Sequence, residues 1–148
     1  MPNHCYNEIT ISHDDPDTMK RLKEGLEEYP SVFFARFVPC PENEKCVSYW
    51  GTKWDVYDVD IDKNSDNNAI YLSFNTAWSP PTKAYDKLKK LGFEINANFM
   101  EIGCDFCGFW IDGEETIYNN VIGNLKNIPE DFHSYFKEYE EEKEEEEK

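Results

Sequence analysis

Two runs of strict period-two alternation, joined by a short polar turn, restrict this chain more than any other feature. Tyr57, Val59 and Ile61 alternate with Asp58, Asp60 and Asp62. After Lys63-Asn64-Ser65-Asp66-Asn67-Asn68, Ile70, Leu72 and Phe74 alternate with Tyr71, Ser73 and Asn75. Such alternation sets apolar side chains on one face of a strand and polar ones on the other. An Asn/Asp/Ser-rich connection turns the chain. The pair predicts an antiparallel hairpin whose first strand has an acidic outer face.

The flanking segments extend the pattern. Asn3 to Ile11 reads as a strand, with Cys5, Asn7, Ile9 and Ile11 set against Tyr6, Glu8 and Thr10. Asp15 as N-cap and Pro16 at the first position open a helix. Its apolar stripe is Met19, Leu22, Leu26 and Tyr29, and Pro30 stops it. Ser31 to Val38 is expected to be a buried strand or an extended connection. Ser79-Pro80-Pro81 opens a second helix with Ala84, Tyr85, Leu88 and Leu91 on one side and Gly92 as C-cap. Phe93 to Ile102 is the next strand. A further hairpin runs from Cys104 to Ile111 and from Glu114 to Val121, turning at Asp112-Gly113. Pro129-Glu130-Asp131 starts a final helix with Phe132, Phe136 and Tyr139 on one side. The order predicts an α+β fold: a ferredoxin-like βαββαβ core, an added C-terminal β-hairpin and an acidic C-terminal helix. Residues 1–127 are expected to form the domain and 128–148 an acidic helical tail.

Charge narrows the partners. The net charge is −16, from 31 acidic and 15 basic residues. Nucleic-acid binding relies on basic residues that displace counterions, so direct nucleic-acid binding is not expected. Anionic membranes are disfavoured for the same reason, and no run approaches the length of a membrane span. Basic protein surfaces are the favoured partners. The N-terminus lacks an apolar leader and the cysteine count of five is odd, which reads as a cytoplasmic protein with reduced thiols.

Three segments carry a family resemblance. Met1-Pro2-Asn3-His4-Cys5-Tyr6-Asn7, Trp50-Gly51-Thr52-Lys53-Trp54-Asp55 and Phe74-Asn75-Thr76-Ala77-Trp78-Ser79-Pro80-Pro81 resemble the YubB-like proteins. Gly103 to Asp112, with Phe106, Gly108 and Trp110, is similar to a later segment of that family. The resemblance covers roughly residues 1 to 121; His4 stands where that family has a Trp. It implies a ferredoxin-like fold and an origin in bacteriophages, plasmids or related mobile elements. It implies no activity.

Tyr49 to Asp58 is the densest chemical stretch, with two Trp, two Tyr, one Lys and two Asp. One reading is a recognition pocket walled by Trp50, Trp54 and Trp78, with Lys53 as charge anchor and Asp55 beside it, since pockets combine apolar walls with a few placed polar groups. Trp110 joins these as a binding candidate. The other reading is structural: Trp50 and Trp54 cover the open end of the core and Lys53 pairs with Asp55.

Catalytic and metal constellations are missing their parts. Cys104-Asp105-Phe106-Cys107 supplies two ligands where structural zinc takes four; His4 and Cys5 would have to complete it. Asp105 raises rather than lowers a neighbouring thiol pKa, so these cysteines are expected to be packed free thiols. Twelve-residue calcium frames starting at Asp58, Asp60 or Asp62 lack the required Gly and Glu. Of the three histidines, His4 adjoins Cys5, but a strand sends the two side chains to opposite faces; His13 lies beside Asp14 in a polar loop and His133 in the tail helix, and there is no Gly-rich phosphate loop. No metal and no cofactor are expected. Tyr6 and Tyr71 could stack bases on an open sheet face, but Glu8 shares that face and no basic rim accompanies it.

From Glu138 to Lys148 the chain has eight Glu and two Lys. As a helix, this segment spaces net charge roughly as a single DNA strand does, about 3.4 Å per charge. It reads as a solvated acidic tail or as a phosphate mimic. The expected acidic partner surface is Asp58, Asp60, Asp62, Glu141 and Glu145. The combined expectation is a non-enzymatic acidic binding protein of mobile-element origin, an inhibitor or decoy of a host nucleic-acid-handling or defence protein. The alternative is a small-ligand sensor or enzyme with its pocket at Trp50–Asp55 and Trp78.

Overall fold

The computed structural model describes residues 3–66, 68–137 and 139. Six strands form one sheet: β1 (His4–His13), β2 (Tyr57–Ile61), β3 (Ile70–Ala77), β4 (Phe93–Glu101), β5 (Phe106–Ile111) and β6 (Glu114–Asn119). Their order is β2-β3-β1-β4-β5-β6 and every neighbouring pair is antiparallel. The helices are α1 (Pro16–Glu28), α2 (Phe33–Phe37), α3 (Cys46–Trp50) and α4 (Thr82–Lys90), with a further short helix over 133–137. The fold is mixed α/β around one open antiparallel sheet.

Register explains how two faces arise from one alternation. Ile9 sits between Leu72 and Ala97, and Ile11 between Ile70 and Ile95. These side chains share one face with Phe74 and Phe99 and pack against Met19, Leu22 and Leu26 of α1, Phe33 and Phe34 of α2, and Ala84, Tyr85 and Leu88 of α4. Asn7 is the polar exception on this face. Its amide donates to Thr76 Oγ1 at 3.0 Å and its Oδ1 accepts the Tyr85 hydroxyl at 3.0 Å, so burial leaves none of its groups unpaired.

Local chemistry sets the ends of the elements. Asp15 caps α1 by accepting from the Thr18 hydroxyl at 2.6 Å and the Asp17 N–H at 3.3 Å. Tyr29 was expected on the buried stripe but is 58% exposed. It lies past the last helical turn with φ −139°, so its side chain leaves the line of Met19, Leu22 and Leu26. Leu91 departs from the α4 stripe in the same way, immediately before Gly92 at φ +97°. Ser31 to Val38 is neither strand nor extended: a tight turn over Pro30–Val32 leads into α2. Two consecutive buried residues, Phe33 and Phe34, both meet Phe74 edge-on, at 6.4 and 6.3 Å. A strand would have sent them to opposite faces.

The acidic strand also departs from strict alternation. Tyr57 pairs with Asn75 and Asp60 with Ser73, so β2 holds one extra residue, a bulge at Asp58 with φ 52°. The bulge moves Tyr57 onto the same face as Asp60, where its ring meets His4. The β5–β6 hairpin turns at Asp112-Gly113 as expected, both at positive φ.

The reverse face of the sheet is covered over one half. Met100 and Cys107 are buried there with Val121, Ile128, Phe132 and Phe136. Phe132 lies 4.8 Å from the Phe109 ring, and Tyr135 stacks on Tyr6 at 5.5 Å. Residues 128–136 thus complete a second core rather than trailing from the first, because their aromatics fill the apolar half of the reverse face. Tyr139 is partly exposed. Glu141 and Glu145 lie outside the described residues, as does nearly all of the acidic run. Among the described residues no helix is long and apolar enough to cross a membrane.

Candidate functional site

The Trp-rich stretch is mostly structural framework. Trp50 is buried at the end of α3, and its indole N–H donates to Val38 O at 2.7 Å. Gly51, at φ +85°, ends that helix. A Cβ there would meet the Lys83 backbone nitrogen at 3.3 Å. The buried Thr52 hydroxyl donates to Ala77 O at 3.0 Å, and the Ser79 hydroxyl donates to Gly51 O at 2.6 Å. Thus the Trp50–Asp55 and Phe74–Pro81 segments, 25 positions apart at Thr52 and Ala77, are laced together.

Asp55 does not pair with Lys53. Its carboxylate accepts the N–H groups of Phe34 at 3.0 Å, Ala35 at 2.9 Å and Val56 at 2.8 Å. Burial pushes its carboxyl above the ordinary value, against those three bonds, which favour the charged form. Lys53 instead places its ammonium 5.2 Å from the Trp54 ring centroid. Trp110 is buried beneath α4, 5.5 Å from the Tyr85 ring. Of the expected aromatic walls, Trp54 and Trp78 remain accessible, at 41% and 49% exposure. Trp78 holds a left-handed backbone, φ 73°, with its N–H on Asn3 O at 2.8 Å.

The second region is the uncovered half of the reverse sheet face. Asp60, Ser73, Glu8 and Asn98 form one row across β2, β3, β1 and β4. Tyr71, Thr10 and Asn96 form the next. With Tyr6 and Asp62 they line an open concavity of about 480 Å³. It contains three carboxylates and two phenols, and no Lys or Arg lines it. Burial pushes the Tyr6 phenol above its ordinary value, with Glu8 and Asp60 adding to the rise. Asp62 accepts the Asn64 N–H at 2.8 Å in the hairpin turn. Asp58, on the bulge, accepts from the Asn75 amide at 3.1 Å.

Of the acidic surface expected from the sequence, Asp60 and Asp62 converge in this concavity, whereas Asp58, on the bulge, is not among its lining residues. Tyr6 and Tyr71, the residues that could stack bases, belong to the same site, and so does Glu8, whose charge argues against that stacking. Asn96 and Asn98 also line the concavity, without a place among the residues expected from the sequence. Their alternation with the buried Ile95, Ala97 and Phe99 was the available signal.

The cysteines are all free thiols. Cys107 is buried in the reverse-face core, where burial first and Asp105 second push its thiol up to about 12. Cys104 is exposed and its thiol is raised by hydrogen bonding to Glu101. Among the described residues no group of three or more His, Cys, Asp or Glu is placed to hold a metal ion.

Fold and site together define a mixed α/β protein with an acidic, aromatic-edged sheet face. No family model, no curated protein and no solved structure matches the chain.

Proposed function

We propose that this protein is a non-enzymatic binding module whose open sheet face docks a basic surface of a partner protein. The observation that carries the reading is the convergence of Glu8, Asp60 and Asp62 with Tyr6 and Tyr71 in a concavity without a cation. Carboxylates steer a basic partner from a distance and fix its orientation. Tyrosines supply the rigid contact area typical of binding hot spots. The net charge of −16 favours the same partner and repels nucleic acid and anionic lipid.

The core β1-α1-β2-β3-α4-β4 is read as ferredoxin-like, with α2 and α3 inserted. The strand order β2-β3-β1-β4 supports this. The resemblance to YubB-like proteins supports a phage or plasmid setting. There the partner is a nucleic-acid-handling or defence protein of the host, met in the host cytosol, and the module acts as its inhibitor or decoy.

The test is a capture experiment on a bacterial lysate with three immobilised full-length baits. These are the wild type, a Glu8→Gln/Asp60→Asn/Asp62→Asn variant and a Glu141→Gln/Glu145→Gln variant. A basic protein held at low salt by the wild type and the tail variant, and lost from the sheet-face variant, supports the reading. Equal retention by the sheet-face variant and the wild type overturns it. Loss from the tail variant alone moves the interaction to the acidic run.

A second reading, a small-ligand sensor beside Trp54 and Trp78, draws on the left-handed backbone of Trp78. A positive φ at a bulky side chain is uncommon and concentrates at functional positions. Saturable quenching of Trp fluorescence in a metabolite and nucleotide screen, lost in Lys53→Ala, would support it. No quenching by any compound would remove it.

A further inference from the structure

The connection between α2 and α3 carries two cysteines that the docking reading does not use. Cys40 and Cys46 are both half-buried and pack on the helix-side core. Between them the chain doubles back: the Glu44 N–H donates to Pro41 O at 3.0 Å, closing a four-residue turn that draws the flanking residues together. The Cys40 thiol lies across this turn, 3.5 Å from Glu44 O and 3.7 Å from Pro41 O. Cys46 opens α3 on the other side of the turn. Cys46 follows Glu44 by two residues, and its thiol is the largest cause of a rise in the Cys40 thiol to about 11.

The other three cysteines are differently placed. Cys5 is buried in the centre of the helix-side core, where burial pushes its thiol up to about 12. Cys107 is buried on the reverse face. Cys104 is exposed, engaged by the Asn3 amide at 3.7 Å.

We infer that Cys40 and Cys46 are a reversible disulfide site, a redox-responsive clasp on the loop that precedes the Trp-rich segment. A disulfide requires Cα atoms about 4.4–6.8 Å apart, and the Pro41–Glu44 turn folds the chain back between the two residues. The oxidant is a small disulfide such as oxidised glutathione. One cysteine, as thiolate, attacks a sulfur of the small disulfide. A mixed disulfide forms and one small thiolate leaves. The second cysteine then attacks the protein sulfur of that mixed disulfide, forming the Cys40–Cys46 bond and releasing the second small thiolate. The two protein thiols lose two electrons and two protons, which the two released small thiols carry away.

The structural consequence follows from what α3 already holds. Trp50, at its end, is bound to Val38 O, two residues before Cys40. Tyr49 O accepts from the Lys87 ammonium at 2.7 Å. Closing the disulfide adds a covalent tie beside the Trp50–Val38 bond, and α3 becomes anchored at both ends.

The experiment treats the full-length protein with oxidised glutathione, denatures it, alkylates the remaining thiols and maps the disulfides by mass spectrometry. The expected result is a drop in alkylated cysteines from five to three, with one linkage, Cys40–Cys46, that dithiothreitol reverses. Oxidation should quicken as pH rises, because the thiolate is the attacking form. Stable glutathione adducts on Cys40 or Cys46, a linkage that includes Cys104, or no loss of alkylation would each overturn the inference. Because the mapping uses the wild-type chain, it does not depend on whether a Cys40→Ser variant folds.

Discussion

The Asp55 carboxylate accepts the backbone N–H of Phe34 at 3.0 Å across 21 positions of sequence. A residue of the Trp-rich stretch thereby fixes the start of α2, and α2 delivers Phe33 and Phe34 to the core. Replacing Asp55 with Ala strips acceptors from the N–H groups of Phe34 and Ala35. Leaving part-buried donors unpaired costs about 1–3 kcal/mol. The urea midpoint of Asp55→Ala should fall accordingly, with loss of the Trp50 fluorescence environment as a second readout.

Asp55 and Asp15 should respond to acid with opposite signs. Burial raises the Asp55 carboxyl, so the folded state holds that proton more tightly than the unfolded chain. Its contribution is present in acid and is lost as pH rises through its raised folded value. Asp15 is lowered, first by the Thr18 hydroxyl and then by the Asp17 N–H, outweighing slight burial. Its contribution is present above the unfolded carboxylate range and is lost as pH falls through the lowered folded value. Urea midpoints across the acid range should therefore show Asp55→Asn gaining on the wild type as pH rises. Asp15→Asn should fall behind it over the same interval.

Gly108 is expected to reject any side chain. A Cβ there would stand 2.1 Å from Thr116 O of β6 and 2.6 Å from the Phe99 ring. The first obstacle is backbone and cannot swing aside. Gly108→Ala should destabilise by about 1–3 kcal/mol, the range for overpacking a filled interior. Hydrogen exchange should show β6 losing protection before β1 does.

Phe136 and Phe132 are fully buried against the reverse face. Truncating either to Ala should lower stability by about 3–5 kcal/mol, as for other buried aromatics. Were residues 128–136 a mere appendage, thermal denaturation of Phe136→Ala would coincide with that of the wild type.

Much of this architecture was legible as periodicity. The β2–β3 hairpin, the Asp15-Pro16 helix start and the Asp112-Gly113 turn all have local causes written in adjacent residues. Two features were not legible. Ser31 to Val38 reads as a buried strand or an extended connection because it is rich in Val and Phe, and the cap that makes it helical comes from Asp55. The tail was set apart at residue 128 by its charge, yet Phe132 and Phe136 answer an apolar patch formed by Met100, Cys107 and Phe109. The candidate site divides in the same way. Asp60 and Asp62 were visible as an acidic run, whereas the place of Glu8 beside them depends on β1 lying against β3. The Trp motif drew attention through composition, but Trp50 and Asp55 have structural partners that no spacing rule reveals.

The position of β1 sets a timetable for the chain as it is made. This strand is made before the other five, but its two partners are 70–77 and 93–101. Until both emerge, Cys5, Ile9 and Ile11 lack the two strands that flank them, and the nascent chain must carry them until β4 is made. Closure of the reverse face waits longer still, for Phe136. Contacts this distant in sequence slow folding. An arrested nascent chain ending before residue 93 should accordingly remain a substrate for chaperones and proteases, since β1 then lacks one of its two partner strands.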